Sequence, residues 1–232
     1  MNSLNPSSGI KIWVVIPAYN EGINLEILLD ELKKKGLSVF VIDDGSRDNT
    51  YSLAKEKADL VIRNQRNRGK GMSLSKGISY LFAHEKFDYI IIMDADGQHS
   101  PSDLGKFLKE AKKGEDFVVG NRMENHLGMP FVRVATNRFM SWLISLIARQ
   151  KIPDTQCGFR LIKREVLENI SINTKKFEIE SEILIKAARS GFRIKSIPIK
   201  SIYSKSLRSK IQPLIDTVRF IKFIFKMENG RL

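Results

Sequence analysis

The sequence predicts an α/β fold in which a central, mostly parallel sheet is flanked by helices. Three observations predict it. Short β-branched runs alternate with amphipathic stretches through the first half of the chain, the pattern of a parallel sheet with crossover helices. The run at 89–93 is nearly all apolar, as a strand covered on both faces must be. Polar and acidic clusters follow four of the expected strands, where open sheets of this kind bind ligands.

The elements follow in order. Strands are expected at 12–16, 39–42, 60–62, 89–93 and 117–119. Helices are expected between them at 25–34, 50–57, 71–83 and 102–112. Pro101 stands at the start of the last of these, with Ser100 or Ser102 as the cap. Beyond Gly120 the texture changes, and residues 125–131 read as a loop because Gly128 and Pro130 break it. Helical segments are expected at 139–148, 163–167 and 180–190, a strand at 194–198 and a last helix at 211–227 with Pro213 in its first turn.

With 232 residues, 42% hydrophobic and 28% charged, the chain has the composition of a globular protein with one substantial core. No stretch approaches the ~18 to 20 apolar residues that a membrane-spanning helix needs. The first nine residues lack the basic-then-apolar order of a secretory signal, which gives a cytoplasmic reading. The single cysteine, Cys157, excludes an internal disulfide and is expected to be a buried small residue. His84, His99 and His126 are scattered and form no zinc pattern. The net charge of +13 implies polyanionic partners: nucleic acid, anionic lipid or phosphorylated substrates. No recognition helix, zinc finger or stacking-aromatic motif supports nucleic acid. From residue 200 onward, eight basic residues face only Asp216 and Glu228, and apolar residues are interleaved with them.

The chemistry is expected at the strand ends. The first strand runs into Pro17-Ala18-Tyr19-Asn20-Glu21, the second into Asp43-Asp44-Gly45-Ser46, the fourth into Asp94-Ala95-Asp96-Gly97-Gln98-His99 and the fifth into Gly120-Asn121-Arg122. Asp94 and Asp96, one residue apart, are placed to turn toward one ion, with Gln98 or His99 as a further ligand. Mg²⁺ is usually held by one or two carboxylates while substrate phosphates complete its shell. A lone Asp-x-Asp more often caps a helix or makes a turn; the three other polar strand ends weigh against that here. Asn67-Arg68-Gly69-Lys70-Gly71 opens the third helix, and such a helix start can hold an anion. Arg122, Arg133, Arg138 and Arg160 lie in the second half, and arginine forks match phosphate oxygens.

Together with Asp154-Thr155-Gln156-Cys157-Gly158-Phe159-Arg160 and Phe177-Glu178-Ile179-Glu180-Ser181-Glu182, these segments resemble the family 2 glycosyltransferases of the GT-A fold. Within that family they look most like the polyprenyl-phosphate, dolichol-phosphate mannose synthase-like branch. The resemblance implies a Rossmann-like GT-A domain over 10–205, followed by a basic amphipathic extension over 206–232. It implies that Pro17, Tyr19 and Glu21 line a nucleotide pocket, that Asp44 reaches the base or ribose, and that Lys70 belongs to the same nucleotide-binding set. Asp94 and Asp96 would hold Mg²⁺ or Mn²⁺ against the diphosphate, with Gln98 as a third protein ligand. Arg122 and Arg133 would grip an acceptor phosphate, Asn137 stands where that branch often has a small polar residue, and Asp154 lies near the sugar. The implied partners are a nucleotide-sugar donor, a polyprenyl phosphate acceptor and the cytoplasmic face of a membrane. The extension either lies on the membrane or packs on the domain. If the acceptor were instead a glycan hydroxyl, a base would be needed and Asp154 is the first candidate. A nucleotidyltransferase would carry a glycine-rich basic loop after the first strand, where this chain has Pro17-Ala18-Tyr19-Asn20-Glu21.

Overall fold

The computed structural model describes residues 9–126, 128–172, 179–200 and 202. The extension at 206–232, its expected helix, and Phe177 and Glu178 lie outside the described residues. Within them, strands β1 (Ile12–Ala18), β2 (Ser38–Asp43), β3 (Leu60–Arg63), β4 (Tyr89–Ile92), β5 (Phe117–Asn121), β6 (Arg160–Lys163) and β7 (Ile194–Pro198) form one sheet. Their order is β3-β2-β1-β4-β6-β5-β7. The helices are α1 (Gly22–Lys34), α2 (Thr50–Lys57), α3 (Lys70–His84), α4 (Leu104–Lys112), α5 (Phe131–Ala148), α6 (Arg164–Glu168) and α7 (Ile179–Arg189). One 3₁₀ turn at Pro101–Asp103 leads into α4, and the Ser100 hydroxyl accepts from the Ser102 amide as its cap.

The first four strands are parallel, with Ala18 beside Asp43 and Val15 beside Ile92. Their middles are entirely apolar: Val14, Val15, Ile16, Val41, Ile42, Ile90, Ile91 and Ile92 are all fully buried. Helix α3 covers β1 and β2, α1 packs on α2, and α5 packs on α7. This is the sheet covered on both faces that the uninterrupted apolar runs require.

Two elements depart from the sequence reading. The segment expected as a helix at 163–167 is divided: Arg160–Lys163 is strand β6, and the helix begins only at Arg164. Strand β6 runs antiparallel to both neighbours and sits between β4 and β5, with Arg160 opposite Ile92 on one side and Val119 on the other. Helix α5 starts at Phe131, eight residues before the expected position. Val132, Val134 and Thr136 are indifferent helix formers, but burial of Val134, Asn137 and Met140 on one face fixes the helix from its first turn.

Candidate active site

The parallel strands β1, β2, β4 and β5 deliver their carboxyl ends to one edge. Antiparallel β6 delivers its leading loop, residues 153–159, to that edge as well. All four polar strand ends of the sequence reading, and Asp154, therefore meet there.

The loops after β1 and β2 are stitched together. Asn20 sits at φ 53°, its amide donates to Ser46 Oγ at 3.0 Å, and its Oδ1 accepts from the Arg47 amide at 2.9 Å. The Glu21 amide donates to Thr50 Oγ1 at 2.9 Å, and Glu21 Oε2 accepts from Asn24 at 3.1 Å. Pro17, Tyr19 and Glu21 are thus held along one rim, each partly buried. Asp44 lies beneath the next loop. Its Oδ1 accepts from Asn64 Nδ2 at 2.8 Å and the Arg68 amide at 2.9 Å, and its Oδ2 from the Gly69 amide at 2.8 Å. The carboxylate clamps the start of α3 in place. Gly45, at φ 74°, lets the chain turn against the Arg66 backbone, where a Cβ would approach to 2.7 Å.

That clamp aims Lys70. Its Nζ lies 2.5 Å from Asp94 Oδ1 and 3.2 Å from Glu180 Oε1. His99 Nε2 stands 3.5 Å from Asp94 Oδ2. Gly158 closes over this pair, since a Cβ there would collide with Asp94 Oδ2 and stand 3.0 Å from Lys70 Nζ. Burial alone would lower the Lys70 pKa, but Asp94 and Glu180 outweigh it and raise it. Burial likewise opposes ionisation of Asp94, and the Lys70 and His99 contacts overcome it, so its pKa is lowered. Asp96 differs. Burial, and then the charge of Asp94, push its pKa up, while the Gln98 amide donates to its Oδ1 at 3.0 Å. Two carboxylates crowd one spot, and only the first has a strong cationic partner. A divalent cation fits that donor set: it would relieve the strain on Asp96, and Mg²⁺ needs few protein ligands once phosphates and waters join. Gln98 Oε1 accepts from Arg133 Nη2 at 3.4 Å, which places the first turn of α5 beside the acidic pair.

Arg122 is engaged elsewhere. Its Nε and Nη2 fork onto Asp154 at 2.7 and 2.9 Å, and its amide donates to the same carboxylate at 3.0 Å. Both residues are almost fully buried. The pair bridges the loops after β5 and before β6, so both arms of the Asp154 carboxylate are already in use. Arg160, also buried, donates to the main-chain carbonyls of Cys157, Thr155 and Glu180, and Arg138 is exposed. Asn137 is buried with its Nδ2 3.8 Å from Met129 Sδ. Cys157 is fully buried, and burial pushes its thiol up to about 12.

Sequence reasoning missed the roles of Glu180, Gly158 and Arg160. Glu180 stands in one of the segments that carry the resemblance, but nothing local in the sequence says that it pairs with Lys70. Gly158 was visible as a glycine, but nothing local said which side chain it makes room for.

A sheet of this order, with an acidic pair after its fourth strand, has the architecture of the GT-A fold. The glycosyl transferase family 2 profile matches residues 13–171, and the chain belongs to that family. It is similar over nearly its whole length to a Methanocaldococcus jannaschii protein, 34% identical over 97% of this chain and 94% of that one. It is 28% identical to the UDP-N-acetylglucosamine–dolichyl-phosphate N-acetylglucosaminyltransferase of Methanococcus voltae, over 84% of this chain and 86% of the relative. It is 33% identical to the dolichol-phosphate mannosyltransferase of Pyrococcus furiosus, over 78% of this chain but 54% of that longer protein. In fold it resembles glucosyl-3-phosphoglycerate synthase from Mycobacterium tuberculosis, solved with Mn²⁺, UDP and phosphoglyceric acid. There the TM-score is 0.68 at 19% identity, covering 90% of this chain and 74% of that one.

Proposed function

We propose that this chain transfers a hexose, with inversion, from GDP-mannose or a UDP-hexose to the phosphate of a polyprenyl (dolichyl-type) phosphate, using Mg²⁺ or Mn²⁺. The observation that carries the reading is the contact of Asp94 with Lys70, together with the contact of Arg133 with Gln98, whose amide holds Asp96. Two anions, a diphosphate and an acceptor phosphate, must be brought together, and Lys70 and Arg133 are two cations in contact with this segment. The similarity to two dolichyl-phosphate transferases supports the acceptor. The structural neighbour crystallised with Mn²⁺ and UDP supports a metal-bound nucleotide donor.

In this reading Pro17, Tyr19 and Glu21 border the nucleoside, and Asp44 acts by shaping the loop that carries Lys70. Asp94 and Asp96 would hold the metal, with Gln98 adjacent, and the metal supplies charge stabilisation for the departing diphosphate. Lys70 adds a cation on the donor side. Arg133 orients the acceptor phosphate. Arg122 contributes indirectly, by fixing Asp154 and with it the loop under the sugar. The nucleophile is a phosphate oxygen, anionic at neutral pH because its second pKa is roughly 6, so no base is required. The engagement of both Asp154 oxygens by Arg122 favours this acceptor over a glycan hydroxyl, which would need a free carboxylate. The lipid acceptor and the net charge of +13 support work at a membrane surface on its cytoplasmic side. Among the described residues no helix is long and apolar enough to cross a membrane.

The test is transfer from a panel of labelled nucleotide sugars to a short polyprenyl phosphate, with Mn²⁺, Mg²⁺ or chelator. One acid-labile glycolipid, formed only with metal and abolished in Asp96→Ala, is the expected result. Nucleotide binding without lipid product from any donor overturns the acceptor assignment.

A further inference from the structure

Helix α5 carries an apolar face that nothing in the described structure covers. Its inner face is regular: Val134, Asn137, Ser141, Ile144 and Ala148 are buried at three- and four-residue spacing. On the opposite face Phe131 is 84% exposed, Trp142 61% and Leu146 63%, with Phe139 47% exposed and its ring 6.1 Å from that of Trp142. These positions also follow helical spacing, so they make one stripe along a helix of 18 residues, about 27 Å long. Large apolar side chains gathered this way on one surface mark a contact with another apolar body.

Two features say which body. The first is charge. From Asn125 to Pro153 the chain has no Asp or Glu, while Arg133, Arg138, Arg149 and Lys151 are all basic. A second copy of this cationic helix, or the cationic segment beyond residue 200, would meet it with like charge; an anionic surface would not. The second is position. The stripe begins at the helix turn that carries Arg133, which touches Gln98 beside Asp96. We infer that the exposed face of α5 docks on an anionic lipid bilayer, seating Phe131, Phe139, Trp142 and Leu146 among the acyl chains and presenting the Arg133 end of the site to lipid phosphates at the surface. Aromatic and aliphatic residues with flanking arginines suit that depth. This inference rests on the lipid-phosphate acceptor proposed above and names the surface that reaches it.

The experiment uses the full chain with vesicles of phosphatidylcholine, with and without phosphatidylglycerol. In a Trp13→Phe background Trp142 is the reporter, and its emission is expected to shift to the blue only on the anionic vesicles. The Phe139→Gln/Trp142→Gln variant is expected to lose co-flotation by roughly tenfold or more, while turning over a short, water-soluble isoprenyl phosphate as the parent does. Unchanged flotation of that variant overturns the inference, and so does flotation lost only on Lys222→Gln/Lys226→Gln. A parent dimer converted to monomer by the α5 substitutions assigns the face to a second copy and overturns it equally. Failure of the parent to glycosylate any isoprenyl phosphate is a separate outcome: it removes the proposed acceptor, and is read in solution without vesicles.

Discussion

At Gly158 the absence of a side chain is a requirement of its neighbours. A methyl there meets the Asp94 carboxylate and the Lys70 ammonium, so Gly158→Ala should push both out of line. Outer contacts of this kind typically change metal affinity by ~10 to 100-fold. A loss of about tenfold in Mn²⁺ affinity, measured by calorimetry, is expected with the fold intact by circular dichroism. Arg122 and Asp154 invite a different test. Removing one partner of a buried ion pair leaves the other charge stranded, at about 3 to 5 kcal/mol. Asp154→Ala should therefore lower unfolding stability in urea by about 3 kcal/mol, and Arg122→Met/Asp154→Leu should recover much of it. An Asp154→Asn variant with full stability and no transfer activity would instead return Asp154 to the role of base.

Among the elements, β7 shows how an edge strand is tied down. Lys195 reaches Glu110 of α4 and Glu115, each at 2.7 Å. The Lys195 hydrogen bond, followed by that of Lys113, holds the Glu110 pKa below its ordinary value. The unfolded chain then takes up this proton more readily than the folded one. The contribution is complete above the usual Glu value of about 4.3 and is lost as pH falls through the depressed one. Glu110→Gln should consequently flatten the acid limb of a stability–pH curve measured by urea unfolding. The five parallel strands β1 to β5 were legible because each is a short apolar run ending in polar residues. Strand β6 was not: Arg160 and Lys163 bracket only two apolar residues, and Arg164 begins a helix with no turn residue between. Arg160 read as one of four arginines suited to phosphate oxygens, yet its guanidinium is satisfied by three carbonyls that only the folded loops bring together. Asp94, Asp96 and the nucleotide-side loops were legible from strand ends. The Arg122–Asp154 pairing was not, since it depends on the reversed direction of β6.

For the whole molecule, ligand and fold are linked. A species that binds only the native state at one hundred times its dissociation constant stabilises it by about 2.7 kcal/mol, several degrees of melting temperature for a chain of this size. UDP or GDP with Mn²⁺ should raise the melting temperature by that order, chelator should reverse it, and Asp96→Asn should abolish it. The strand order has a consequence of another kind, for the sequence of events in synthesis. Strands β1 to β4 are neighbours in the sheet and follow one another along the chain, so they can pair as they emerge. Strand β5 cannot, because both its partners, β6 and β7, are made after it. A nascent chain halted before Lys163 would hold a finished half bearing Tyr19, Asp44 and Asp94, and beside it an unpaired Phe117–Asn121. Arg122 would then have a long wait for the sheet position that brings it to Asp154, and the two halves of the edge would come into being at different times.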